Sequence, residues 1–314
     1  MMKMFIDCDT GVDDSIALLF ALNRPDVEIV GISTGSGNVT AAQGADNTLR
    51  VLKLAGKEGQ IPVCVGSEKP LNGKPEEFPE FIHGKNGLGN VVLPLSDQKP
   101  VDMDVCDFIY EAACKYEREL VLITLGRLTN IAMTIKKYPD FPSKIKKVVG
   151  MGGTLYSQGN VSPVCEANIA GDPEAADIAV QAEWDMTLVG LDVTLKTLLT
   201  MEDVKKTARF CRPECRAQLK FIEDELVYYM NGARIQNQNL ENSPLHDPLA
   251  MVVAVDPSVV LTRKMVTRIE CGGDYCRGKV VVDLREKPFE GRFVEHCLQV
   301  DSRKALNELF AAFQ

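Results

Sequence analysis

The sequence predicts a three-layer α/β fold, in which helices cover both faces of an open, mostly parallel sheet. Two observations support this prediction. Short β-branched runs alternate with helical stretches along the chain, which is the pattern of parallel strands joined by crossover helices. The 314 residues show no repeat, linker or low-complexity segment, so we expect residues 1–314 to form one domain with a large buried core.

The first predicted strand leads into a cluster of four aspartates. An apolar run that starts at residue 4 suits a strand, and residues two apart on a strand face the same way, so Asp7 and Asp9 point to one side. Gly11 permits a tight turn after them. Asp13 and Asp14 then open an apolar helical stretch, as acidic residues in a first helical turn do.

This strand-to-helix turn is expected at the carboxyl edge of the strands, where open α/β sheets bind ligands. Carboxylates crowded there repel one another unless a cation lies between them. Ligand sets made only of oxygen favour a hard divalent ion, Ca²⁺ or Mg²⁺, over zinc. The alternative is that Asp13 and Asp14 only cap a helix, while Asp7 and Asp9 are solvated at the mouth of a loop.

The chain up to residue 100 continues the alternation and then loosens. After the first helix, a second strand covers Val27 to Thr34 and runs into a glycine-rich turn at the same edge of the sheet. A helix from Thr40 to Ala55 and a third strand from Ile61 to Val65 follow. From Gly66 to Pro100, prolines and glycines interrupt any period, so this segment is predicted to be a lid or binding loop. His83 lies in this loop, either solvated or in contact with a ligand.

The middle of the chain returns to regular alternation. The predicted elements are, in order, a helix from Asp102 to Tyr116, a strand from Leu120 to Leu125, a helix from Ile131 to Lys137, and strands from Lys147 to Met151 and from Met186 to Val189. Between the last two strands, Asn160, Glu166 and Asn168 place polar side chains on a loop before Asp172 starts a helix.

Residues 201–238 are predicted to be mostly helical and polar. The residues near the end of this stretch that either line a pocket or cover a surface are Tyr228, Tyr229, Arg234 and Gln238. Asp247 is placed as the N-cap of the next helix, with Pro248 at its first helical position. A hairpin is expected to join residues 266–271 with 279–284, and an amphipathic helix closes the chain.

The charge of the chain argues against two classes of partner. With 35 basic and 44 acidic residues the formal charge is −9, and no basic patch or run occurs. We therefore expect no binding to nucleic acid or to an acidic membrane surface. No apolar run approaches the length of a membrane span, and the first strand starts within four residues, which leaves no room for a signal peptide. These features predict a cytoplasmic protein.

Ten cysteines raise the question of disulfides or zinc. The closest spacings are Cys211 with Cys215 and Cys271 with Cys276, neither of which is a CxxC pair, and the chain has only three histidines. In a protein without export signals, these cysteines are expected to be reduced and mostly buried thiols.

Seven short segments, each at a predicted strand end or loop, together resemble one family. In order they are IDCDTGVDD at 6–14, GN at 37–38, HGKNGLG at 83–89, LGRLTNIA at 125–132, VVGMGG at 148–153, EANIAGDPEAA at 166–176 and LHDP at 245–248. This set is similar to the nucleoside hydrolases of the inosine–uridine preferring type. The resemblance implies a Rossmann-like fold, hydrolysis of the N-glycosidic bond of ribonucleosides to base and ribose, a role in purine or pyrimidine salvage, and a homodimer or homotetramer.

The resemblance also implies roles for individual residues. One Ca²⁺ is expected to be bound by Asp9, Asp14, Asp247 and the backbone carbonyl of Leu125, together with waters and the ribose 2′- and 3′-hydroxyls. Asp13 is expected to hold the 2′-hydroxyl, and Asn38 the region of the 3′-hydroxyl. The residues expected around the rest of the sugar, including its 5′-hydroxyl, are Asn160, Glu166 and Asn168. His83 and Met151 are further candidates for substrate contact, and Asp7 is expected behind the ligands.

The chemistry of the implied reaction fits these residue types. Departure of the base leaves an oxocarbenium-like ribosyl cation, which surrounding carboxylates stabilise. A water bound to the metal has a lowered pKa, so Asp9 is expected to take its proton and deliver hydroxide to the anomeric carbon. His246 is the candidate to protonate or polarise the leaving base. Alternatively, His246 only packs beside Asp247 and orients that ligand.

Some positions depart from the family pattern. Arg127 stands where a proline or glycine is more usual, and Thr10 replaces a frequent proline. The region from Phe221 to Ser243 matches least, and because it contacts the base in relatives, purine or pyrimidine preference stays open.

Two other functions remain to be weighed against hydrolysis. Haloacid-dehalogenase-like phosphatases also begin with an apolar strand and an Asp-x-Asp pair, but they need Thr or Val where this chain has Gly11. A non-catalytic nucleoside- or ribose-binding protein is the second rival. The presence of both Asp9 and His246 argues against it.

Overall fold

The computed structural model describes residues 1–72, 77–236 and 242–314. Its strands are β1 (Met2–Cys8), β2 (Val27–Thr34), β3 (Val63–Val65), β4 (Leu120–Thr124), β5 (Lys147–Met151), β6 (Met186–Val189), β7 (Leu198–Leu199), β8 (Ser243–Pro244), β9 (Val260–Ile269), β10 (Val280–Asp283) and β11 (Arg292–Val300). Its α-helices are α1 (Val12–Leu22), α2 (Ala41–Leu54), α3 (Glu80–His83), α4 (Val105–Lys115), α5 (Thr129–Lys137), α6 (Phe141–Lys144), α7 (Ala167–Gly171), α8 (Pro173–Val180), α9 (Leu191–Thr194), α10 (Met201–Phe210), α11 (Arg216–Gln236), α12 (Asp247–Val255) and α13 (Ser302–Ala311).

Nine strands form one twisted sheet in the order β10-β9-β11-β6-β5-β4-β1-β2-β3. The seven strands from β11 to β3 in that order run parallel, while β9 pairs antiparallel with both β11 and β10. From β1 the chain moves outward through β2 to β3, and it then returns to the other side of β1 for β4. The order therefore reverses between β1 and β4, and this crevice is where doubly wound sheets bind ligands.

Helices cover both faces of the sheet, because the side chains of each buried strand alternate between the faces. On β1, Met4 and Ile6 belong to a core shared with α1, α11 and α12. Phe5, between them, belongs to a second core shared with α4, α5 and α8. The predicted fold class, an open and mostly parallel sheet with helices on both faces, is thus confirmed.

Several predicted boundaries were wrong. The third strand starts at Val63 rather than Ile61, and the hairpin strand β9 starts at Val260 rather than at residue 266. The strand β11 was not predicted at all. Its charged and polar residues break the apolar alternation, and pairing with β9 and β6 on either side compensates for its weak pattern.

Two predictions near the sheet edge also need correction. The loop expected at Glu166 to Asn168 includes the short helix α7, with Glu166 as its N-cap. Asp247 is the first residue of α12 rather than its N-cap, so Pro248 takes the second helical position. His246 precedes the helix in the N-cap position.

The long loop and the cysteines behave largely as expected. Between residues 66 and 100, α3 is the regular element in the part that the structure describes; residues 73–76 and Gln238 lie outside it. All ten cysteines lie in the described ranges, and all are free thiols, six of them buried. Within those same ranges, no helix is both long enough and apolar enough to cross a membrane.

Candidate active site

The order of the strands places the ends of β1 and β4 side by side, with Asp7 opposite Thr124 in their parallel register. A cavity of about 320 Å³ opens at this edge. The sequence-predicted residues that line it are Asp9, Asp13, Asn38, His83, Leu125, Met151, Asn160, Glu166, Asn168, His246 and Asp247. Asp14 is fully buried beside them. The structure therefore gathers these predicted side chains from most of the length of the chain.

Three carboxylates form the tightest group in the cavity. Asp13, Asp14 and Asp247 each offer one oxygen, and these oxygens lie within 4.8 Å of one another. The first two belong to the first turn of α1 and the third begins α12, so two helix N-termini favour negative charge here. The sequence analysis expected Asp9 in this group and Asp13 on the sugar, whereas in the structure Asp13 is the residue that joins Asp14 and Asp247.

The group fits a hard divalent cation. Among the residues that the structure describes, no partner hydrogen-bonds the buried Oδ1 of Asp13, and an unpaired buried oxygen is costly. All the candidate ligands are oxygens, which Ca²⁺ and Mg²⁺ prefer. The residues present are therefore able to hold such an ion.

Asn38 ties Asp9 to this group. Its backbone N–H donates to Asp9 Oδ2 at 2.7 Å, and its side-chain Nδ2 donates to Asp9 Oδ1 at 3.3 Å and Asp14 Oδ2 at 3.1 Å. The backbone N–H of Gly11 adds a hydrogen bond of 2.9 Å to Asp14. Gly37 is packed so closely that a Cβ there would lie 1.9 Å from Asp9 Oδ2. Asp9 is thus held in place by its neighbours.

Burial and mutual repulsion raise the pKa values of these acids. Burial raises the pKa of Asp9 and Asp247 well above the usual range, with neighbouring carboxylates adding to it. Burial and then Asp14 raise the pKa of Asp13 to about 7. Because a nearby positive charge favours the ionised form, a bound cation would lower these pKa values.

Asp7 lies behind the ligand cluster. Its Oδ1 accepts hydrogen bonds from Ser33 Oγ at 2.5 Å and Asn130 Nδ2 at 2.8 Å, which link β1 to β2 and α5. Burial raises its pKa to about 7. It contributes no surface to the cavity, so its contacts tie together the elements that carry the site.

The wall beside β5 is built by α7 and its cap. Glu166 accepts hydrogen bonds from the backbone N–H groups of Asn168 and Gly153, each at 2.8 Å. Asn168 Nδ2 donates to the carbonyl oxygens of Leu125 at 2.6 Å and Met151 at 3.2 Å. The α7 wall is therefore fixed to the ends of β4 and β5.

The opposite side of the cavity carries two histidines and a tyrosine. His246 Nδ1 lies 2.9 Å from Thr194 Oγ1, and burial lowers the pKa of His246 to about 4. His83 is buried rather than solvated, and its Nδ1 accepts a hydrogen bond from the backbone N–H of Val12. Its ring lies 5.4 Å from the ring of Tyr229, and burial lowers the pKa of His83 to about 3. Both histidines are therefore neutral at pH 7.

Sequence reasoning left open whether Tyr229 lines a pocket or covers a surface, and it assigned no role to Glu225. Tyr229 lines the cavity, and Glu225, one helical turn earlier, accepts a hydrogen bond from Ser15 Oγ at 2.7 Å. Their four-residue spacing in α11 could have indicated a shared buried face. Arg127 also lines the cavity, although its position was noted only as a departure. Arg234 is exposed, and Tyr228 reaches only the backbone of Glu80.

Comparison with known proteins agrees over the whole chain. Residues 4–307 match the family described as inosine-uridine preferring nucleoside hydrolase. The chain is 37% identical to uridine nucleosidase 1 of Arabidopsis thaliana over 92% of this chain and 84% of that protein. It is 33% identical to the inosine-uridine preferring nucleoside hydrolase of Crithidia fasciculata, over 96% of this chain and 94% of that protein.

The fold agrees with that of a solved relative as well. The purine-preferring ribonucleoside hydrolase from Gardnerella vaginalis superposes with a TM-score of 0.91 and 36% identity, covering 99% of this chain and 97% of that one. A match of this extent leaves no support for the phosphatase that the first strand alone allowed. The chain belongs to the inosine-uridine preferring nucleoside hydrolase family and is a ribonucleoside N-ribohydrolase.

Proposed function

We propose that this protein hydrolyses ribonucleosides to free base and ribose with the help of a bound Ca²⁺. The convergence of Asp13, Asp14 and Asp247 on one point of the cavity carries this proposal. Asp14 and Asp247 from this group, together with Asp9 and the carbonyl of Leu125, are the groups that would hold the ion, while Asp13 would hold the sugar. When bound, such an ion lowers the pKa of a water and holds a sugar diol.

Asp9 is the proposed general base. Its carboxylate lines the cavity, and the two hydrogen bonds from Asn38 keep it from turning away. An ionised carboxylate in that position can accept a proton from the water that attacks the anomeric carbon. The other acids of the site face the positive charge that develops on the sugar as the base departs.

His246 is proposed to assist the departing base. With Nδ1 paired with Thr194, its Nε2 is the ring nitrogen left for the substrate. Because burial keeps the ring neutral at pH 7, the role that suits it is an Nε2–H hydrogen bond that polarises the base. This arrangement supports a catalytic role more strongly than simple packing beside Asp247.

The remaining polar residues are proposed to bind the ribose. Asp13 belongs to the acid cluster and Asn38 lies beside it, where the 2′- and 3′-hydroxyls would meet the ion. Asn160, Glu166 and Asn168 line the α7 wall for the rest of the sugar. His83 on the opposite side, together with Met151, would contact the base or sugar.

A substrate panel tests the proposal directly. Inosine, uridine, cytidine and adenosine are each incubated with the enzyme, and free ribose is measured with and without a chelator. We expect release from at least one ribonucleoside, loss on chelation, and recovery with added Ca²⁺. Absence of ribose from all four, or full activity in chelator, would rule the proposal out. Relative rates in the same panel establish base preference.

Three further statements are part of the proposal. Nine of the eleven described strands, from β1 near the start of the chain to β11 near its end, share one sheet, which supports a single domain over residues 1–314. A homodimer or homotetramer is expected, and light scattering after size exclusion measures it. A cytoplasmic role in nucleoside salvage stays a prediction from the sequence.

A further inference from the structure

Arg127 brings a positive charge into the cavity, where the other charged residues that the structure describes in the lining are acidic. It directly follows Gly126 at the end of β4 and lines the cavity on the side of α7. Burial lowers the pKa of the Arg127 guanidinium, and the nearby carboxylates of Asp9, Asp172 and Glu166 act in the opposite direction, so the group stays ionised.

Gly171, the last residue of α7, makes room for this side chain. A Cβ on Gly171 would lie 2.1 Å from Arg127 Nε and 2.8 Å from its Cζ. Such a contact cannot exist, so any larger residue would displace the guanidinium. Gly171 therefore leaves the space that the Arg127 side chain occupies in the wall, and the two residues form a matched pair.

Which group of the substrate meets this pair depends on how a ribonucleoside would lie in the cavity, so this inference rests on the proposed function. The sugar has three groups to place: the diol, the base and the C5′ hydroxymethyl. The diol would contact the acid cluster, and the base would contact the side with His246 and Tyr229. The C5′ hydroxymethyl would then contact the remaining side, the α7 wall, where Arg127 lies near Glu166.

We propose that Arg127 is a specificity-determining residue that donates a hydrogen bond to the 5′-oxygen of the substrate. A hydroxyl has one donor and two acceptor sites. The Glu166 carboxylate can only accept, so it suits the hydroxyl proton, and the guanidinium can only donate, so it suits the oxygen lone pairs. With five N–H groups, Arg127 can serve the substrate as well as the protein.

Paired substrates test this role. The kcat/KM of uridine and of inosine is measured against that of the 5′-deoxy analogue of each, in the wild type and in Arg127→Met. In the wild type, loss of the 5′-oxygen is expected to cost about tenfold to a hundredfold, the range for a hydrogen bond to a charged group. In Arg127→Met this penalty should shrink severalfold. An unchanged penalty overturns the proposal.

Matched variants separate binding from folding. Gly171→Ala keeps the arginine but displaces its guanidinium. The backbone at this position accepts alanine, because Gly171 is not among the glycines with positive φ. This variant should therefore reduce the 5′ penalty as Arg127→Met does. Arg127→Lys should retain part of the penalty. Arg234→Met makes the same change at an exposed arginine on α11 and should leave the penalty as in the wild type.

The outcomes also distinguish the two proposals. A wild type that cleaves uridine or inosine but shows the same 5′ penalty as Arg127→Met overturns only the role of Arg127. A full wild-type penalty in Gly171→Ala does the same. A wild type that releases no ribose from either nucleoside overturns the proposed function and this inference with it.

Discussion

Asp14 in the first turn of α1 and Asp247 at the start of α12 each place a carboxylate oxygen within 4.8 Å of the other. Both groups are buried, and burial raises the pKa of each. Two ionised carboxylates this close also repel one another, and a divalent cation between them would offset this repulsion and favour the ionised form of both groups. The stability of this contact between the two ends of the chain therefore depends on a bound positive charge.

Calcium should consequently stabilise the fold. At a free Ca²⁺ concentration of a hundred times Kd, the free energy of unfolding should rise by about 2.7 kcal/mol. Urea unfolding with and without Ca²⁺ measures the change. Asp247→Asn should lose most of the response, whereas Asp97→Asn, at an exposed carboxylate, should keep it. An equal response in wild type and Asp247→Asn would contradict the assigned ligand.

Asp9→Asn should abolish turnover while leaving the protein folded. The amide oxygen can still accept the hydrogen bond from the Asn38 backbone, but it cannot take a proton from water. A fall in kcat of about 10²-fold to 10⁴-fold is expected. Ribose release gives the rate, and circular dichroism checks the fold. Survival of wild-type kcat would show that another group is the base.

The 2′-hydroxyl should be essential for efficient cleavage. Asp13 Oδ1 is buried without a hydrogen-bond partner among the described residues, so a substrate hydroxyl or the ion is needed to satisfy it. We expect kcat/KM for 2′-deoxyuridine to be about 10²-fold or more below that for uridine. Asp13→Ala should reduce the ratio of kcat/KM between uridine and 2′-deoxyuridine, since it removes the carboxylate that the deoxy substrate leaves without a hydrogen bond. Equal rates on the two substrates would contradict the proposed contact with the sugar.

Much of this site could be predicted because each of its parts lies at the end of a strongly patterned element. The aspartates follow the apolar strand β1, and Pro248 indicates the start of the helix α12. The predicted start of that helix was therefore wrong by only one residue. The local sequence pattern of a strand or helix does not indicate which distant elements it packs against. Sequence spacing alone could not show that Asp13 joins Asp14 and Asp247.

The features whose place the sequence did not determine share a physical reason. Glu225 and Tyr229 lie in a helix that reads as polar, and only tertiary packing against α1 and α3 buries them. The strand β11 has weak intrinsic preference and forms because β6 and β9 offer it partners on both sides. Such features depend on neighbours that are remote in sequence.

His246→Ala should slow purine nucleosides more than pyrimidine nucleosides. A hydrogen bond from His246 to the base matters most where the leaving group needs most help, which we expect for inosine. The loss on inosine should be about 10²-fold or more, the range for a positioned proton donor. Inosine and uridine are compared at equal enzyme concentration. An equal loss on both would instead indicate a structural role beside Asp247.

His296 should make the stability of the protein fall in mild acid. It is buried on β11 with its Nε2 2.8 Å from Thr267 Oγ1, and burial lowers its pKa from 6.5 to about 4. Between these values the unfolded chain binds a proton that the folded protein does not, so the free energy of unfolding falls as the pH falls. His296→Gln removes this titration, and other groups cancel when wild type and variant are compared by urea unfolding. The free energy of unfolding of the wild type minus that of the variant should fall by about 1.4 kcal/mol for each pH unit as the pH is lowered from 6 to 4.5. A constant difference would show that His296 takes up its proton in the folded state.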